Sequence, residues 1–583
     1  MTFQYTNYKV DVKNLKYTTD DGRVFPKTAI VTLLDDKNKS VAVELFGYLE
    51  SEKLYKMIDN KEYLDLDHCL IKNFSLSVYR GERGIGKKEY VELKGLSARH
   101  SFFESKFGTD FSFSEFSEGD LSFEGTHFVK GDVSFNSTKF GDGEEVSFSN
   151  TLFRDGNIDF ANAIFGSGDF VFKNSVIHDG KLDFQYTDFG QGLVSFVNTE
   201  FCSNQVSFIN ANFNDGEVSF KIARFKGGGI DFHFSKFGKG SISFERAEFG
   251  DSNVDFRTVE FNDGRINFNR SVFGNCNVSF EGSQIRNGKF SFRKAKFGKG
   301  NLNFELAEYD NCELTFDNTN FGEGDISFHN SRFKSLSMKS CHLDHYLDLR
   351  VAKCDIIDLS DTIVRDIIDL QPYDFDIDIR LLDLTGMRLL GRINLDWHSN
   401  RVEKMIKEQN ESSCRQLAEQ FRMLKENFRL TGKYGDEDLA YIQFKRHEAK
   451  ADLQESIKKN PMNAFWQYPA KAFQWLVFDQ VGLYATNPLR VLFSMVVGYL
   501  FFSFIYVVLQ LYTAAGITSS VGDPDHLSTI QKALYHSAIT FLTIGYGDYY
   551  PSGVIRWVSG LEGFVGLFLM SYFTVAFVRK ILR

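Results

Sequence analysis

Proline is scarce in this chain, 7 residues among 583, and basic residues do not outnumber acidic ones. Lys+Arg 67 against Asp+Glu 77 leaves a formal charge of -10, which excludes the basic footprint of a nucleic-acid binder. The seven cysteines (Cys69, Cys202, Cys276, Cys312, Cys341, Cys354, Cys414) include no CxxC pair. A disulfide framework or zinc site needs closer spacing, so reduced structural thiols are expected. The histidines are equally dispersed, and no metal site is indicated. The N-terminal MTFQYTNYKVDVKNLKYTTDDG lacks the apolar core of a signal peptide, so the bulk of the chain is expected to stay in the cytoplasm. There is no GxGxxG fingerprint after a strand and no arginine-rich helix, which removes the usual signs of nucleotide and voltage sensing. Nor is there a nucleophile–base set, metal spacing or phosphate loop on which an enzyme reading could rest.

What the chain has in excess is phenylalanine, 62 residues. From Val146 it repeats every twelve residues: VSFSNTLFRDGN, IDFANAIFGSGD, FVFKNSVIHDGK, LDFQYTDFGQGL. The pattern is aliphatic-x-Phe, four residues, Phe, then a Gly/Asn/Asp turn. Val146 and Phe148 share one strand face by their spacing of two; Phe153 and Ile158 follow at intervals of five. This spacing resembles a pentapeptide-repeat β-helix, although the period is 5+5+2 and not a uniform five. A twelve-residue coil is too tight for three large inward side chains, so two repeats per coil are expected. Charged residues mix in sign along the repeats (Glu245, Arg246 and Glu248 in one, Arg293, Lys294 and Lys296 in another), as on an ordinary solvated face. The DNA mimicry of some pentapeptide-repeat proteins needs an acidic face instead.

The expected organisation is multidomain. Residues 1–95 form a small α+β or β domain, with a hairpin loop Asp35–Lys39 between strand-like Ala29–Leu34 and Ser40–Phe46. A helix capped by Ser51 follows; the domain covers the open end of the solenoid or binds a ligand. Residues 96–337 are the phenylalanine-rich β-helix, and 338–400 continue it with leucine and isoleucine, Trp397 closing the stack. Residues 401–460 form a helical hairpin: Leu417, Phe421, Leu424 and Phe428 make one apolar face, Gly432 and Gly435 break the run, and Leu439, Ile442 and Phe444 resume it. In 461–488, Phe465, Trp466, Tyr468, Phe473, Trp475 and Phe478 with Lys471 suit an interfacial helix at a lipid boundary.

Residues 489–583 carry two apolar spans, Leu489–Tyr512 and Val554–Val578, each long enough to cross a bilayer. Arg490 before the first span and Arg579, Lys580 and Arg583 after the second place both termini in the cytoplasm. Asp525–Leu542 reads as a short pore helix, with Pro524, Asp525 and Ser528 suited to its start. Its C-terminal partial negative charge favours a cation beyond it. There stands Thr543-Ile544-Gly545-Tyr546-Gly547-Asp548, whose two glycines admit backbone angles that L-residues avoid.

The hexapeptide resembles the potassium-channel signature TVGYGD, with Ile544 in place of valine. The stretch GLYATNPLRVL from Gly482 is similar to the sequence leading into the first span of bacterial two-span channels attached to pentapeptide repeats. The resemblance implies that backbone carbonyls of Thr543, Ile544, Gly545 and Tyr546, with Gly547, coordinate potassium in a filter. It also implies that the Thr543 hydroxyl forms the innermost ring, that Tyr546 packs outward as a spacer, and that Asp548 sits at the mouth. A ring of carbonyls needs four loops, so a homotetramer in the bilayer of the cell's inner membrane is expected, with potassium as permeant ion and no cofactor. In the second span, Gly563 or Gly566 is the expected gating hinge, Gly560 lying nearby. Glu562 is that span's one carboxylate, expected behind the filter near His536 or Tyr535. The leading function is passive potassium conduction with a regulatory or scaffolding solenoid. The alternatives are a non-selective cation channel and a membrane-anchored interaction scaffold whose pore is secondary.

Overall fold

The computed structural model describes residues 5–117, 120–202, 205–373, 375–409, 411–520, 522 and 526–582. The chain divides into two compact units, Met1–Gln409 and Asn410–Arg583.

In the first unit the phenylalanine repeats wind into a parallel β-helix. Leu152 pairs with Val176 and Ile158 with Leu182, a step of 24 residues, so two repeats make one coil. Val146, Phe148, Phe153, Ile158, Phe160 and Phe165 all point inward and are buried. Along the axis the rings stack nearly parallel, as Phe184 on Phe208 at 4.9 Å and Phe208 on Phe232 at 4.8 Å. Across the core they meet edge to face, as Phe208 and Phe220 at 5.9 Å and 84°. Both arrangements suit the ring quadrupole and exclude water along the whole stack.

Each Phe148-type residue opens a type II turn. Thr151 N donates to Phe148 O at 3.3 Å, and Asn150 takes φ 56. Asn tolerates that left-handed angle and recurs there at Asn162, Asn174, Asn198 and Asn210. The next residue is often a buried hydroxyl that donates to a phenylalanine carbonyl of the preceding coil. Thr187 Oγ1 reaches Phe160 O at 2.9 Å and Ser235 Oγ reaches Phe208 O at 2.7 Å. These inter-coil bonds were not part of the expected pattern. On the surface, opposite charges one coil apart pair, as Lys236–Glu260 at 3.2 Å and Arg293–Asp317 at 3.3 Å. Such exposed pairs contribute little each.

The N-terminal strands are not a separate domain. Asn7–Lys13, Thr28–Leu34 and Ser40–Glu50 run antiparallel, and the last lies parallel to Cys69–Lys72, already a rung of the solenoid. The ladders begin where Leu64–Asp65 pairs with Leu96–Ser97, so the boundary expected at 95 falls inside the β-helix. The first coil is filled by Leu64, Leu66, Leu70 and Ile71, without the phenylalanine signature that marks later ones. Helix α1 (Ser51–Asp59) takes Glu50 and not Ser51 as its N-cap, and α2 (Leu76–Arg83) is inserted in this first coil. At the far end the Leu/Ile coils continue to Arg392–Asn394. Trp397 is buried there, and α3 (Val402–Lys407) buries Val402, Met405 and Ile406. This short helix belongs to the first unit, so the connector expected from 401 starts later.

The second unit opens with a helical hairpin. Helix α4 (Cys414–Leu430) starts at a Ser413/Gln416 capping box, and α5 (Tyr434–Lys459) returns. Gly432 makes the turn with φ 74, while Gly435 lies inside α5 and breaks nothing. Helix α6 (Ala464–Gln474) and a π-helical turn, Trp475–Gln480, follow, with Phe465, Trp466 and Phe473 exposed. Then come α7 (Pro488–Tyr512), α8 (Thr529–Phe541) and α9 (Ile555–Ile581). Helices α7 and α9 have 25 and 27 residues and are apolar enough to span a membrane. Arg490 lies within the first turn of α7, not before it.

Candidate functional site

The helix expected over Asp525–Leu542 is present as α8, with one shift. The helix starts at Thr529, where Ser528 accepts from Gln531 N and the Gln531 side chain accepts from Ser528 N. Pro524 and Asp525 lie outside the described residues. Helix α8 packs between α7 and α9 through Ala533, Phe541, Phe502, Tyr506 and Leu569.

Its last turn organises the TIGYGD loop. Thr543 N donates to Thr540 O (3.0 Å), and Ile544 N and Gly545 N donate to Ile539 O (2.9 and 3.2 Å). The loop's amides are thus held by the carbonyl end of α8. No donor among the described residues reaches the carbonyls of Thr543 to Gly547. Backbone hand alternates: Thr543, Gly545 and Gly547 take φ 56, 61 and 77, while Ile544 and Tyr546 do not turn positive. Alternation of hand turns successive carbonyls to the same side, whereas an ordinary strand would alternate them. Thr543 is β-branched, and a left-handed angle there is a strained conformation of the kind found at functional sites. A Cβ at Gly545 or Gly547 would meet nothing within 4 Å among the described residues, so the backbone angle alone calls for glycine.

Ile544 and Tyr546 are 48% and 71% exposed in the single chain, and Tyr546 does not pack against its own subunit as a spacer. Asp548 is fixed at the outer end: Tyr535 OH donates to its Oδ2 at 2.7 Å, and its carbonyl accepts from Ser520 N at 2.8 Å. Beside it, Ile517–Ser519 pairs antiparallel with Tyr549–Pro551.

Behind α8 lies a polar cluster. Glu562 is fully buried and accepts from Tyr506 OH on α7 and Ser537 Oγ on α8. Tyr506 OH also approaches Ser559 Oγ at 3.2 Å, and His536 Nε2 lies 2.8 Å from the same oxygen. His536 therefore joins Glu562 through Ser559 and Tyr506, while Tyr535 serves Asp548 instead. Tyr506, Ser537 and Ser559 were missed. A trace of them existed, since Ser559 and Glu562 are three apart on one helix face.

The glycines of α9 differ. A Cβ on Gly566 would collide with the Phe541 carbonyl at the end of α8, so Gly566 is where the two helices touch. At Gly563 the nearest atoms, of Thr540, lie at 4.0 Å, and at Gly560 nothing lies within 4 Å among the described residues. Helix α9 runs through all three unbroken. In the other unit, Asp231, His233 and Asp255 bring ligand-type atoms within 4.8 Å of one another. Arg257 already engages Asp255 at 2.6 Å, so this trio is an ion-paired patch of the solenoid surface.

Residues 494–583 match the family model described as an ion channel. The chain is similar to the protein LctB of Bacillus caldotenax, 42% identical over 67 residues, and to LctB of Geobacillus stearothermophilus, 36% identical over 67 residues. Each match covers 11% of this chain, which spans about half the length (50%) of the two curated relatives. Among solved structures, QnrB1, a plasmid-mediated fluoroquinolone resistance protein, aligns over 35% of this chain and 89% of its own at 13% identity. The TM-score is 0.14, and the β-helix here rests on its own strand ladders, not on that likeness. The C-terminal region thus carries an ion-channel pore domain with two helices long and apolar enough to cross a membrane, and the other unit is a β-solenoid.

Proposed function

We propose that the protein is a homotetrameric, potassium-selective channel. The observation that carries this reading is the TIGYGD loop itself: amides held by the end of α8, carbonyls left without donors, and hand alternating at Thr543, Gly545 and Gly547. Four such loops around an axis supply rings of oxygens in place of a potassium ion's water shell. The carbonyl end of α8 adds partial negative charge at the inner side of that axis. Conduction is passive, with no covalent chemistry and no cofactor.

Other features support the assembly. The exposed apolar side chains of α7 and α9, such as Phe493, Phe501, Phe504, Phe564 and Leu567, need lipid or neighbouring subunits against them. Tyr546 would pack as a spacer only with such neighbours present. Arg579 and Lys580 at the end of α9 and Arg490 at the start of α7 favour cytoplasmic termini in the inner membrane. The solenoid then lies in the cytoplasm in a regulatory or scaffolding role, and the aromatic face of α6 rests at the lipid boundary. The Glu562 cluster joins α7, α8 and α9 and supports the filter from behind; Gly563, which has space around it, is the better hinge.

The test is the reversal potential of reconstituted full-length protein in mixed potassium and sodium. A value near the potassium equilibrium potential is expected, and one midway would make the pore non-selective. Recordings of Glu562→Gln are expected to show altered inactivation, since the carboxylate loses one of its two acceptor oxygens. Unchanged conductance and inactivation would remove its supporting role.

A further inference from the structure

The pore-domain end of α9 is fastened to the helical hairpin by contacts that conduction does not require. Asp438, in the first turns of α5, is buried with its side chain 8% exposed. It receives Arg579 Nη2 at 3.0 Å and Lys580 Nζ at 2.7 Å, neighbouring residues in the last turn of α9. The positive end of the α5 dipole thus meets the negative end of α9, and each charge sits where its helix terminus favours it. Arg579 is gripped further: its guanidinium lies 4.5 Å from the Tyr441 ring centroid, and Nη1 reaches Tyr484 O at 3.4 Å.

Tyr484 belongs to the elbow between the π-helical turn and α7. Leu483, Tyr484 and Ala485 take φ 47, 57 and 61 in succession. Three consecutive left-handed residues without glycine form a strained backbone, which persists only where its surroundings hold it. The holders are visible. Tyr572 OH on α9 accepts from Ala485 N at 2.9 Å and donates to Phe478 O at 3.2 Å. Asp479, buried in the π-helical turn, takes both arms of Arg446 from α5 at 2.8 and 2.9 Å. Gly482 lets the chain pass close to Tyr572, whose ring a Cβ there would approach within 2.6 Å.

We propose that Asp438, Arg579, Lys580 and Tyr572, closed around the strained Leu483–Ala485 turn, form a gating clamp through which α5 sets the position of the lower end of α9. The inference rests on the channel reading above and deepens it by naming the element that couples a cytoplasmic helix to the pore-lining one. Both sides of the clamp carry discrete, hydrogen-bonded partners, so a displacement of α5 breaks named bonds and does not merely bend the chain. In this proposal the clamped form is the closed one, and release lets the elbow relax and frees the last turns of α9.

Full-length protein is reconstituted in bilayers and compared with Asp438→Asn, and with the charge exchange Asp438→Lys combined with Lys580→Asp. Asp438→Asn is expected to raise open probability by about 5- to 150-fold, the usual range of a coupling between sites. Unitary conductance and reversal potential stay unchanged, and the exchange returns part of the shift. Tyr572→Phe, which removes one hydroxyl, is a milder variant should Asp438→Asn fail to fold. In parallel, hydrogen exchange of the amides 576–582 is expected to accelerate in Asp438→Asn. Unaltered gating with unaltered exchange overturns the clamp, as does a change in conductance or selectivity without one in open probability. If the parent protein carries no current, the channel reading fails, and the exchange measurement alone decides whether Asp438 holds the end of α9.

Discussion

Left-handed backbone occurs in both units of this protein, and the two put it to opposite use. In the solenoid it recurs every twelve residues, at Asn150, Asn162 and Asn174, and closes a turn whose carbonyl and amide bond each other. Glycine there answers to crowding: on Gly240 a Cβ would strike the Gly216 carbonyl of the coil before. In the TIGYGD loop, among the described residues, the carbonyls of Thr543 to Gly547 accept no hydrogen bond and the glycines have open space beside them. A repeated turn satisfies its own polar groups and stabilises. A single loop that leaves them unsatisfied has them available for an ion. The same backbone angle is architecture in one place and, in the proposed filter, function in the other.

The sharpest way to break this comparison is Gly545→Ala. A Cβ there meets nothing within 4 Å among the described residues, so the melting temperature should shift little, while potassium flux into proteoliposomes should be lost altogether. Retained flux would mean that the backbone hand at 545 does not matter. In the solenoid the reverse is expected. Phe232→Ala, deep in the ring stack, should destabilise the first unit by about 3–5 kcal/mol, measured as faster hydrogen exchange of its strands. Reversal potential should be unaltered.

Acidification sharpens the contrast from another side. His127 bonds Tyr5 OH at 3.0 Å beneath the N-terminal strands, and burial pushes its imidazole from 6.5 down to about 4. The unfolded chain takes up that proton near pH 6.5 and the folded one only near pH 4, so its contribution is complete above 6.5. It is lost as pH falls through the window, by up to about 3 kcal/mol. Exchange of residues 5–13 should therefore rise between pH 6.5 and 4, and a His127→Gln variant should lack that slope. The smallest effect is a gain. Ile222 holds φ 59 at a corner where other coils place Asn, so Ile222→Asn should stabilise by about 1 kcal/mol, visible as a slightly raised melting temperature.

Much of this was legible in advance, for specific reasons. The twelve-residue period told which side chains face inward, because Val146, Phe148 and Phe153 obey strand and turn spacing that no other fold would need. The length of α7 and α9 and the hexapeptide between them marked the pore domain. Less legible were features that depend on residues distant in the chain. The first coil carries leucine in place of phenylalanine and so reads as a separate domain, while its pairing with Leu96–Ser97 and Phe102–Glu104 makes it a rung. Gly566 fits a hinge by sequence, whereas the carbonyl of Phe541 against it makes it the contact between α8 and α9.

Sequence alone determined the β-helix, the two spans, the hairpin and the candidate filter, since each is written as a local period or motif within a few turns of chain. Tertiary structure decided the rest. It showed that the Tyr506 and Ser537 side chains converge on Glu562 with Ser559 bonded to Tyr506, that Tyr535 fixes Asp548, and that Asp438 meets Arg579 and Lys580 across the second unit. Most of those bonds join different elements of the second unit, several of them far apart in the chain. Hydrogen bonds and ion pairs are short-ranged and directional, so no spacing in the sequence announces them until the helices have packed.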